Sequence, residues 1–597
     1  MKKFSDPFTQ GGQTKLHDLH MMRQVISSTL KISMVVALIA FALLLCQKHS
    51  WQDYYLLAAF YKAQARVYLD FLPRGFLDTT WLVADNIWLQ SYDYYIVANP
   101  TYLKFLQHMQ AHILKIFKLC ALIFIASFTI ISSFWVYRGK KRQQTTILKG
   151  YTLSTPKALK KQVAKLGAST IQLADIPLPK NAECEHMMLC GTTGSGKTNA
   201  INHLLAQIRA LNQKAIIIDS TGGFVSSFFD STQDKLLNPF DARTQQWDLW
   251  QECREEYDFD EFAESLIPNN KYDSFWTKAG QQLFSAVALN LRQDPTRNID
   301  LLLNSLLTKP LAEVFKEYKD TYIASYLDPA IEKTALGVRA TLVSALKNLK
   351  YLETKGSVGQ PELKFSIRKW LEEPEPGWLF LSSTPTQREI LKPLISAWLS
   401  IGVKSLMAMG ENQNRRVWFI IDELASLNYI PILAQGLAEV RKYGGCFVLS
   451  FQDLHQLDAI YGPHVAKTLG SLTGTKLIFR LDSYASQQIS AIFGEQEILE
   501  SQESISFGAH QMRDGVSLSS QQHTRSLISA ADIMQLNNLE AFLKFPRNLP
   551  ATKVKFKLFS PVSIAAAFVP KPSAESESAP LQAEIKQDKP GLEAEPA

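Results

Sequence analysis

Two long apolar runs near the N-terminus dominate the hydrophobic pattern of the chain. Residues 32–46 contain no charge, and with the apolar residues just before them they reach the length that spans a bilayer. Residues 119–137 are also free of charge and end in a Trp and a Tyr, with a basic cluster directly after them. Aromatic residues followed by basic side chains are typical of a membrane interface on the cytoplasmic side. The pattern predicts transmembrane helices at residues 25–46 and 116–137.

The basic cluster that begins at Arg138 also predicts the orientation of these helices. Residues 1–24 and the chain from residue 138 onward are expected in the cytoplasm, and residues 47–115 are expected to form a small folded cap on the other side. Alternatively, the two runs are buried core helices of a soluble protein. The basic flanks and the uncharged second run favour the membrane interpretation.

Beyond residue 180, short apolar runs typical of buried strands alternate with helical patterns. The runs are residues 187–190, 215–218, 378–382, 417–421, 446–450 and 476–480. They predict an α/β domain with a sheet of at least five strands. Residues 251–375 show successive helical patterns and no convincing strand, which predicts an all-α insertion domain. The α/β domain is therefore expected in two parts, residues 138–250 with a linker and residues 376–565, and residues 484–550 are expected to be mixed and near the surface.

Composition adds little chemistry but helps to define the ends of this region. The net charge of +7 does not by itself require nucleic acid, and six cysteines without CxxC spacing predict neither a zinc site nor a disulfide framework. The lysine-rich stretch at residues 139–180 touches phospholipid or DNA, or is simply a solvated face. Residues 566–597 are rich in Pro, Ala, Glu and Ser, which predicts a disordered acidic tail.

A phosphate-binding loop follows the first predicted strand of the α/β domain. It fits the pattern G-x-x-x-x-G-K-[ST] and comprises Gly191, Thr192, Thr193, Gly194, Ser195, Gly196, Lys197 and Thr198. A helical pattern over residues 199–211 follows it, so the backbone N–H groups of the loop and the helix dipole face one phosphate chain. Lys197 is expected to reach the β- and γ-phosphates of ATP, and Thr198 to hold Mg²⁺.

The second half of an ATP site follows later strands. The apolar run at residues 417–421 ends in Asp422 and Glu423, of which the first can bind Mg²⁺ and the second can polarise the attacking water. Gln452, just past the strand at 446–450, is a candidate γ-phosphate sensor or a solvated strand-end residue. Asp219, at the end of the strand at 215–218, either serves the site through other side chains or forms a turn.

Several stretches together resemble the type IV coupling proteins, and within them the TraD-like proteins of F-type conjugation systems. They are residues 9–13 before the first span, 237–243, 247–250, 408–423, 441–446 with Gln452, and 513–517. The resemblance runs from residue 9 to about residue 570. It implies a RecA-like P-loop ATPase domain with an all-α insertion, preceded by two transmembrane helices.

The resemblance also implies a function. The family acts as a homohexameric, DNA-stimulated, Mg²⁺-dependent ATPase in the bacterial inner membrane, with its ATPase domain in the cytoplasm and residues 47–115 in the periplasm. It handles single-stranded and double-stranded DNA and links the relaxase and other relaxosome proteins to the channel proteins of a type IV secretion system. By its position in an Arg-Lys-x-Gly-Gly stretch, Arg441 matches the arginine that one subunit offers to the nucleotide of its neighbour. Otherwise Arg441 is a cation at the C-terminus of a helix.

The stretch at residues 219–224 departs from the family pattern, which usually has a basic residue early and an acid before the aromatic residue. A second class of function also stays open. In it the protein is a docking receptor, in which ATP assembles the ring and the insertion and tail recruit secretion substrates without pumping DNA. Loss of DNA transfer in Lys197→Ala and Glu423→Gln variants distinguishes the two.

Overall fold

The computed structural model describes residues 6–69, 78–84, 87–92, 97–142, 146–267, 274–328, 332–352, 364–506 and 515–571. The chain forms two compact units, residues 1–146 with 499–522 and residues 147–498 with 523–597. The tail predicted at residues 566–597 lies outside the described residues from 572 onward.

Two long helices, Asp6–Lys48 and Pro100–Arg142, pack together in the first unit. Their apolar segments Met21–Lys48 and Leu103–Lys141 are long enough to cross a membrane, and only 11% and 6% of their most apolar windows are buried within the protein. Such exposure of apolar side chains favours a lipid surrounding over a protein core. The second helix begins at Pro100, so residues 100–115 of the segment predicted between the spans are helical and continue into the second apolar run.

The segment between these helices has its own small fold. Helix Trp51–Leu69 is followed by an antiparallel pair of strands, Asp78–Ala84 and Ile87–Tyr92. Strands Thr146–Gly150, Glu495–Ser506 and Gly515–Ser526 also occur in the chain.

A ten-stranded sheet organises the second unit. In chain order its strands are β1 Leu153–Ser154, β2 Met187–Cys190, β3 Lys214–Asp219, β4 Lys235–Leu237, β5 Trp378–Ser382, β6 Val417–Ile421, β7 Gly445–Phe451, β8 Thr475–Ile478, β9 Glu540–Lys544 and β10 Ala551–Lys555. Their order across the sheet is β1-β10-β9-β8-β2-β7-β6-β3-β5-β4. Every neighbouring pair from β8 across to β4 is parallel, whereas β9 is antiparallel to both β8 and β10.

The sheet is buried on both faces, which explains why its strands are almost continuously apolar. Along β6, Phe419 packs into one hydrophobic core and Trp418 into the other, and β2 alternates in the same way. The first core continues into the helical insertion. The second core contains helix α1, Lys197–Ala210, through Ile201 and Leu204.

The insertion predicted at residues 251–375 is helical in the residues that the structure describes. Its helices include Glu256–Leu266, Ser274–Asn290, Ile299–Leu303, Leu311–Tyr318, Ala324–Leu327 and Glu332–Leu346. The helix after β5, α2 at Arg388–Ala408, is also apolar enough to cross a membrane, but 72% of its most apolar window is buried in the protein. Helix α3, Pro431–Glu439, precedes a 3₁₀ turn at Val440–Tyr443 and strand β7.

Shorter elements complete the second unit. They are helices Pro156–Leu166, Gly223–Phe228, Leu249–Glu252, Ile367–Glu372, Leu454–Tyr461, Pro463–Leu472, Ser483–Phe493 and Ala530–Met534, and the strand pair Ala168–Leu173 and Ile176–Pro179.

Two sequence expectations about the C-terminal part are wrong. Residues 484–550 are not uniformly near the surface, because β9 lies within the sheet and Ala541 and Leu543 are fully buried. The start of the predicted tail is also part of the fold. Asp241 pairs with Pro570, and the Ala242 N–H donates to the Val569 carbonyl over 2.8 Å.

Candidate nucleotide-binding site

The predicted phosphate loop connects β2 to α1, in the strand–loop–helix context that its sequence requires. Gly196 has a φ of +122°, a backbone conformation that residues other than glycine rarely adopt. A Cβ on Gly191 would lie 2.7 Å from the Cβ of Phe479, so the close approach of β8 also requires glycine there. The loop is fixed by the Thr192 N–H, which donates to the Arg480 carbonyl over 2.9 Å, and by Ser195 Oγ, which donates to the Thr192 carbonyl over 2.6 Å.

Lys197 lies under this loop. Its Nζ donates to the Gly191 carbonyl over 2.5 Å and to the Thr192 carbonyl over 3.3 Å. Burial lowers the pKa of Lys197, and the charges of Glu423 and Asp422 oppose that shift. The ammonium group is therefore held by weak carbonyl acceptors within the loop, where an anionic phosphate oxygen would be a stronger partner.

The two predicted carboxylates reach the same edge of the sheet as the loop. In the parallel register, Ile421 pairs with Ile218 of β3 and with Leu449 of β7, so Asp422 and Glu423 follow β6 level with the carboxyl ends of these two strands. Ligands of open α/β sheets bind at this edge.

Asp422 is joined to the loop by Thr198, whose hydroxyl donates a hydrogen bond to the carboxylate. Burial raises the pKa of Asp422 to about 6, the Asp219 carboxylate adds to the rise, and Lys197 and Thr198 oppose it. A hydroxyl and a carboxylate in contact next to a phosphate loop are the oxygen ligands that Mg²⁺ prefers. The residues therefore fit a magnesium ion.

Gln452 connects Glu423 to the loop. Its Nε2 donates to Glu423 Oε2 over 3.0 Å, and its Oε1 accepts from Thr193 Oγ1 over 3.2 Å. Glu423 Oε1 is buried and has no hydrogen-bond partner among the residues that the structure describes. Burial raises the pKa of Glu423, against the effects of the Gln452 hydrogen bond and the Lys197 charge. One oxygen of Glu423 is thus held in place, while the other is a buried acceptor whose hydrogen-bonding capacity is unused among the described residues.

Asp219 forms the turn after β3, as one of the two open interpretations held. Its side chain accepts from the backbone N–H groups of Thr221, Gly222 and Val225 over 3.1, 2.8 and 2.9 Å. The Asp219 carboxylate also contributes to the raised pKa of Asp422. A role of Asp219 in the site through other side chains stays a prediction.

Arg441 lies at the opposite end of the sheet from these groups. It precedes β7, whereas Gln452 follows it, and the seven residues of β7 separate the two. At about 3.3 Å per residue, the strand spans about 20 Å. The Arg441 side chain is 58% exposed, and its Nη2 donates to Glu185 Oε1 over 3.2 Å. Arg441 therefore does not belong to the site that the other predicted residues form in its own subunit.

The sequence reasoning missed one cation at this edge. Arg388, the first residue of α2, donates from Nη2 to the Ser220 carbonyl over 3.2 Å, and its charge acts to lower the pKa of Glu423. Its Nε is buried without a hydrogen-bond partner among the described residues. Its position in the sequence could have indicated this, since a basic residue shortly after β5 lies at the same carboxyl edge as the loop.

Comparison with known proteins decides the family. The family described as "Type IV secretion-system coupling protein DNA-binding domain" matches residues 170–557. The chain belongs to this family of coupling proteins. The match begins before the phosphate loop and includes both carboxylates and the helical insertion, so the family resemblance seen in the sequence is confirmed.

Two relatives extend this result. The coupling protein TraD of Escherichia coli strain K12 is 36% identical over 457 residues, which cover 75% of this chain and 63% of TraD. This chain therefore matches less than two thirds of the length of TraD. The coupling protein TrwB with ADP and Mg²⁺ has a TM-score of 0.63 and 27% identity, over 72% of this chain and 98% of TrwB.

TrwB has also been solved in an unbound form, with the same TM-score of 0.63 and 27% identity, over 71% of this chain and 96% of that one. These matches confirm the predicted fold class, a RecA-like P-loop ATPase domain with an all-α insertion, preceded here by two apolar helices of membrane-spanning length.

Proposed function

We propose that this protein is an inner-membrane ATPase that links the relaxosome to a type IV secretion channel and drives single-stranded DNA transfer in conjugation by ATP hydrolysis. One observation carries the ATPase part of the proposal. Lys197, Thr198, Asp422, Glu423 and Gln452 meet at the carboxyl edge of one sheet. Gln452 joins Glu423 to Thr193 of the loop, and Thr198 bonds to Asp422.

The chemistry at this edge follows from those contacts. Lys197 would exchange its carbonyl partners for the β- and γ-phosphates of ATP, together with the backbone N–H groups of the loop. Thr198 and Asp422 would hold Mg²⁺, which supplies charge stabilisation for the phosphates. Gln452 would hold Glu423 in the orientation that faces the attacking water.

Glu423 would act as the base of the hydrolysis. The water oxygen bonds to the γ-phosphorus, the bond from that phosphorus to the β–γ bridging oxygen breaks, and ADP leaves with the electron pair. Glu423 takes the proton of the water. A raised pKa suits this role, because a base is most effective when its pKa lies near the working pH.

Arg441 would complete the site of a neighbouring subunit in a homohexamer. Its exposure and its position at the opposite end of the sheet support action between subunits. A guanidinium group from a neighbour stabilises charge in the transition state and couples hydrolysis around a ring. TrwB, whose structures contain ADP and Mg²⁺ or a non-hydrolysable ATP analogue, supports a nucleotide in this fold.

The DNA and membrane parts of the proposal rest on the family and on the apolar helices. The family name specifies a DNA-binding domain, and single-stranded and double-stranded DNA are the expected partners together with the relaxase. The two apolar helices would anchor the ATPase domain to the cytoplasmic face of the inner membrane, with residues 47–115 in the periplasm. Residues 25–46 and 116–137 remain the proposed spans, and residues 138–250, 251–375 and 376–565 the proposed cytoplasmic divisions.

Transfer between cells tests the proposal. The Lys197→Ala and Glu423→Gln variants would replace the protein in donor cells, with relaxosome recruitment to the membrane measured in parallel. We expect DNA transfer to fall by at least a hundredfold while recruitment persists, because both variants lose ATP hydrolysis and Glu423→Gln keeps the residues that bind the nucleotide. Normal transfer with both variants would support a docking receptor and contradict the motor.

A further inference from the structure

Arg441 belongs to a cluster of three charged residues, with Glu185 and Arg547, at the end of the sheet away from the phosphate loop. Arg441 Nη2 and Arg547 Nη2 each donate to the same atom, Glu185 Oε1, over 3.2 Å. The Glu185 side chain is only 12% exposed, whereas those of Arg441 and Arg547 are 58% and 44% exposed. A largely buried carboxylate therefore holds two arginines that face solvent.

Glu185 belongs to a segment that is fixed on several sides. Its carbonyl accepts from the Gly474 N–H over 2.6 Å, and the carbonyl of the next residue, His186, accepts from the Thr475 N–H over 3.1 Å. His186 has a φ of +59° and a ψ of 157°, a backbone conformation that is uncommon for any residue other than glycine. Backbone strain of this kind persists only where the surrounding contacts enforce it.

His186 connects the same segment to the elements on both sides of Arg441. Its Nδ1 accepts from the Phe447 N–H over 3.3 Å, so Nε2 carries the proton and donates to the Leu437 carbonyl over 2.7 Å. Leu437 lies in α3, just before Arg441, and Phe447 lies in β7, just after it. The backbone and the side chain of the Arg441 region thus both depend on residues 185 and 186.

We propose that Glu185 is a positioning residue for Arg441, which it holds in the orientation that one subunit presents to the nucleotide of its neighbour. This inference rests on the proposed function, in which Arg441 acts between subunits. An exposed arginine side chain otherwise samples many rotamers, and the hydrogen bond to a buried carboxylate restricts them.

The charges of the cluster leave Arg441 able to bind a phosphate. Two guanidinium groups share one carboxylate, so the cluster keeps a net positive charge. Only Nη2 of Arg441 is engaged by Glu185, and a guanidinium group has five N–H donors in a planar fork. The remaining donors can bind phosphate oxygens of the neighbour.

Glu185 also connects two sites along the chain. Between it and Gly191 of the phosphate loop lie His186 and the four residues of β2. Glu185, which holds the arginine that the subunit presents to its neighbour, is therefore only six residues from the loop that binds the subunit's own nucleotide.

Mixed rings test this inference with a defined pair of defects. Arg441→Ala subunits keep a complete phosphate loop but give no arginine, whereas Lys197→Ala subunits give the arginine but have an impaired loop. A mixture of the two should recover part of the ATPase activity. When the second partner is Lys197→Ala/Glu185→Gln, we expect recovery to fall at least tenfold. With the control Lys197→Ala/Lys442→Gln, which removes a neighbouring exposed charge, recovery should persist.

The outcomes separate the two proposals. No recovery in the first mixture contradicts action of Arg441 between subunits, and with it this inference. Recovery in the first mixture that Glu185→Gln leaves unchanged overturns the role of Glu185 alone.

Rings of a single variant supply a measurement that a general loss of structure would not reproduce. In Glu185→Gln rings, kcat should fall about tenfold, while KM for ATP stays within twofold because the phosphate loop is intact. Glu185→Asp keeps the charge and should restore part of kcat, and it serves as the second variant if Glu185→Gln does not fold. Equal kcat values for the wild type and both variants would overturn the inference.

Discussion

The side chain of Gln452 is held between Glu423 and Thr193, with its amide nitrogen 3.0 Å from the Glu423 carboxylate and its amide oxygen 3.2 Å from the Thr193 hydroxyl. The amide thus joins the proposed catalytic base to the phosphate loop. A nucleotide that displaces the Thr193 contact would leave the amide oxygen free, while the amide nitrogen still orients Glu423.

Replacement of Gln452 by Ala should lower kcat with little change in the KM for ATP. Loss of a hydrogen bond to a charged group costs about 1.5–3 kcal/mol, which corresponds to about a tenfold to hundredfold decrease in rate. Steady-state ATPase kinetics measure both constants. Gln413→Ala, in the exposed loop before β6, is the matched control and should retain the wild-type kcat. A large rise in KM with unchanged kcat would show that Gln452 binds substrate rather than orients the base.

Asp422→Asn should weaken the dependence of nucleotide binding on magnesium. The substitution keeps the size of the side chain and removes the charge that Thr198 contacts. Fluorescent ATP-analogue binding at increasing Mg²⁺ should show a shift of at least tenfold to higher Mg²⁺, whereas Thr198→Ser, which keeps the hydroxyl, should behave as wild type. An unchanged Mg²⁺ midpoint in Asp422→Asn would contradict the assignment of this carboxylate.

Acid should loosen the segment that holds Arg441 through His186. Burial lowers the pKa of His186 to about 4, below its ordinary value of 6.5, so the unfolded chain binds a proton in this range that the folded chain does not. The stability supplied by neutral His186 is therefore complete above pH 6.5 and is lost as the pH falls toward 4. Between pH 6.5 and 5 the loss should be about 2 kcal/mol.

Urea unfolding of the full chain in detergent, followed by tryptophan fluorescence, measures this loss. In His186→Asn, which does not titrate, the pH-dependent difference in the free energy of unfolding should shrink by about the same 2 kcal/mol. An identical pH dependence in wild type and variant would contradict the prediction.

A buried ion pair at the edge of the second core should be important for stability. Arg209 donates to both oxygens of Asp234 over 2.9 and 2.6 Å and stacks 3.6 Å from the centre of the Trp378 ring. Asp234 also accepts from the Trp378 N–H over 2.8 Å. Arg209→Ala leaves the carboxylate buried without its counter-charge, which should reduce the free energy of unfolding by about 3–5 kcal/mol.

Thermal unfolding of the Arg209 variants measures this effect. Arg209→Lys keeps the charge but not the two parallel hydrogen bonds, so its loss should be smaller than that of Arg209→Ala. Equal melting temperatures for the wild type and Arg209→Ala would show that the pair contributes nothing.

The sequence predicted the nucleotide edge because its residues follow local rules. A phosphate loop is recognised by the spacing of its glycines and its Lys-Thr pair. Asp422, Glu423 and Gln452 each come shortly after an apolar strand. Parallel strands bring such positions to one edge whatever the order of the strands. The fold class was accessible for the same reason, since strands buried on both faces leave continuous apolar runs.

The other contacts join residues that are far apart in the chain, so no local sequence pattern predicts them. Glu185 meets residues 256 and 362 positions away in the chain, and the contact between Arg388 and the Ser220 carbonyl spans 168 positions. Strand β9 was missed because its partly polar sequence, Glu540–Lys544, does not resemble a strand buried on both faces. Its place is set by antiparallel pairing with β8 and β10 rather than by its own composition.

The most direct test of the central claim is the ATPase rate of the full-length protein as a function of protein concentration, with and without single-stranded DNA. A ring in which Arg441 completes the site of a neighbour predicts that activity per subunit rises with protein concentration and rises further with DNA. The same account predicts that Arg441→Ala removes both increases. Activity per subunit that is independent of concentration and DNA, and unchanged in Arg441→Ala, would contradict a DNA-driven ring motor.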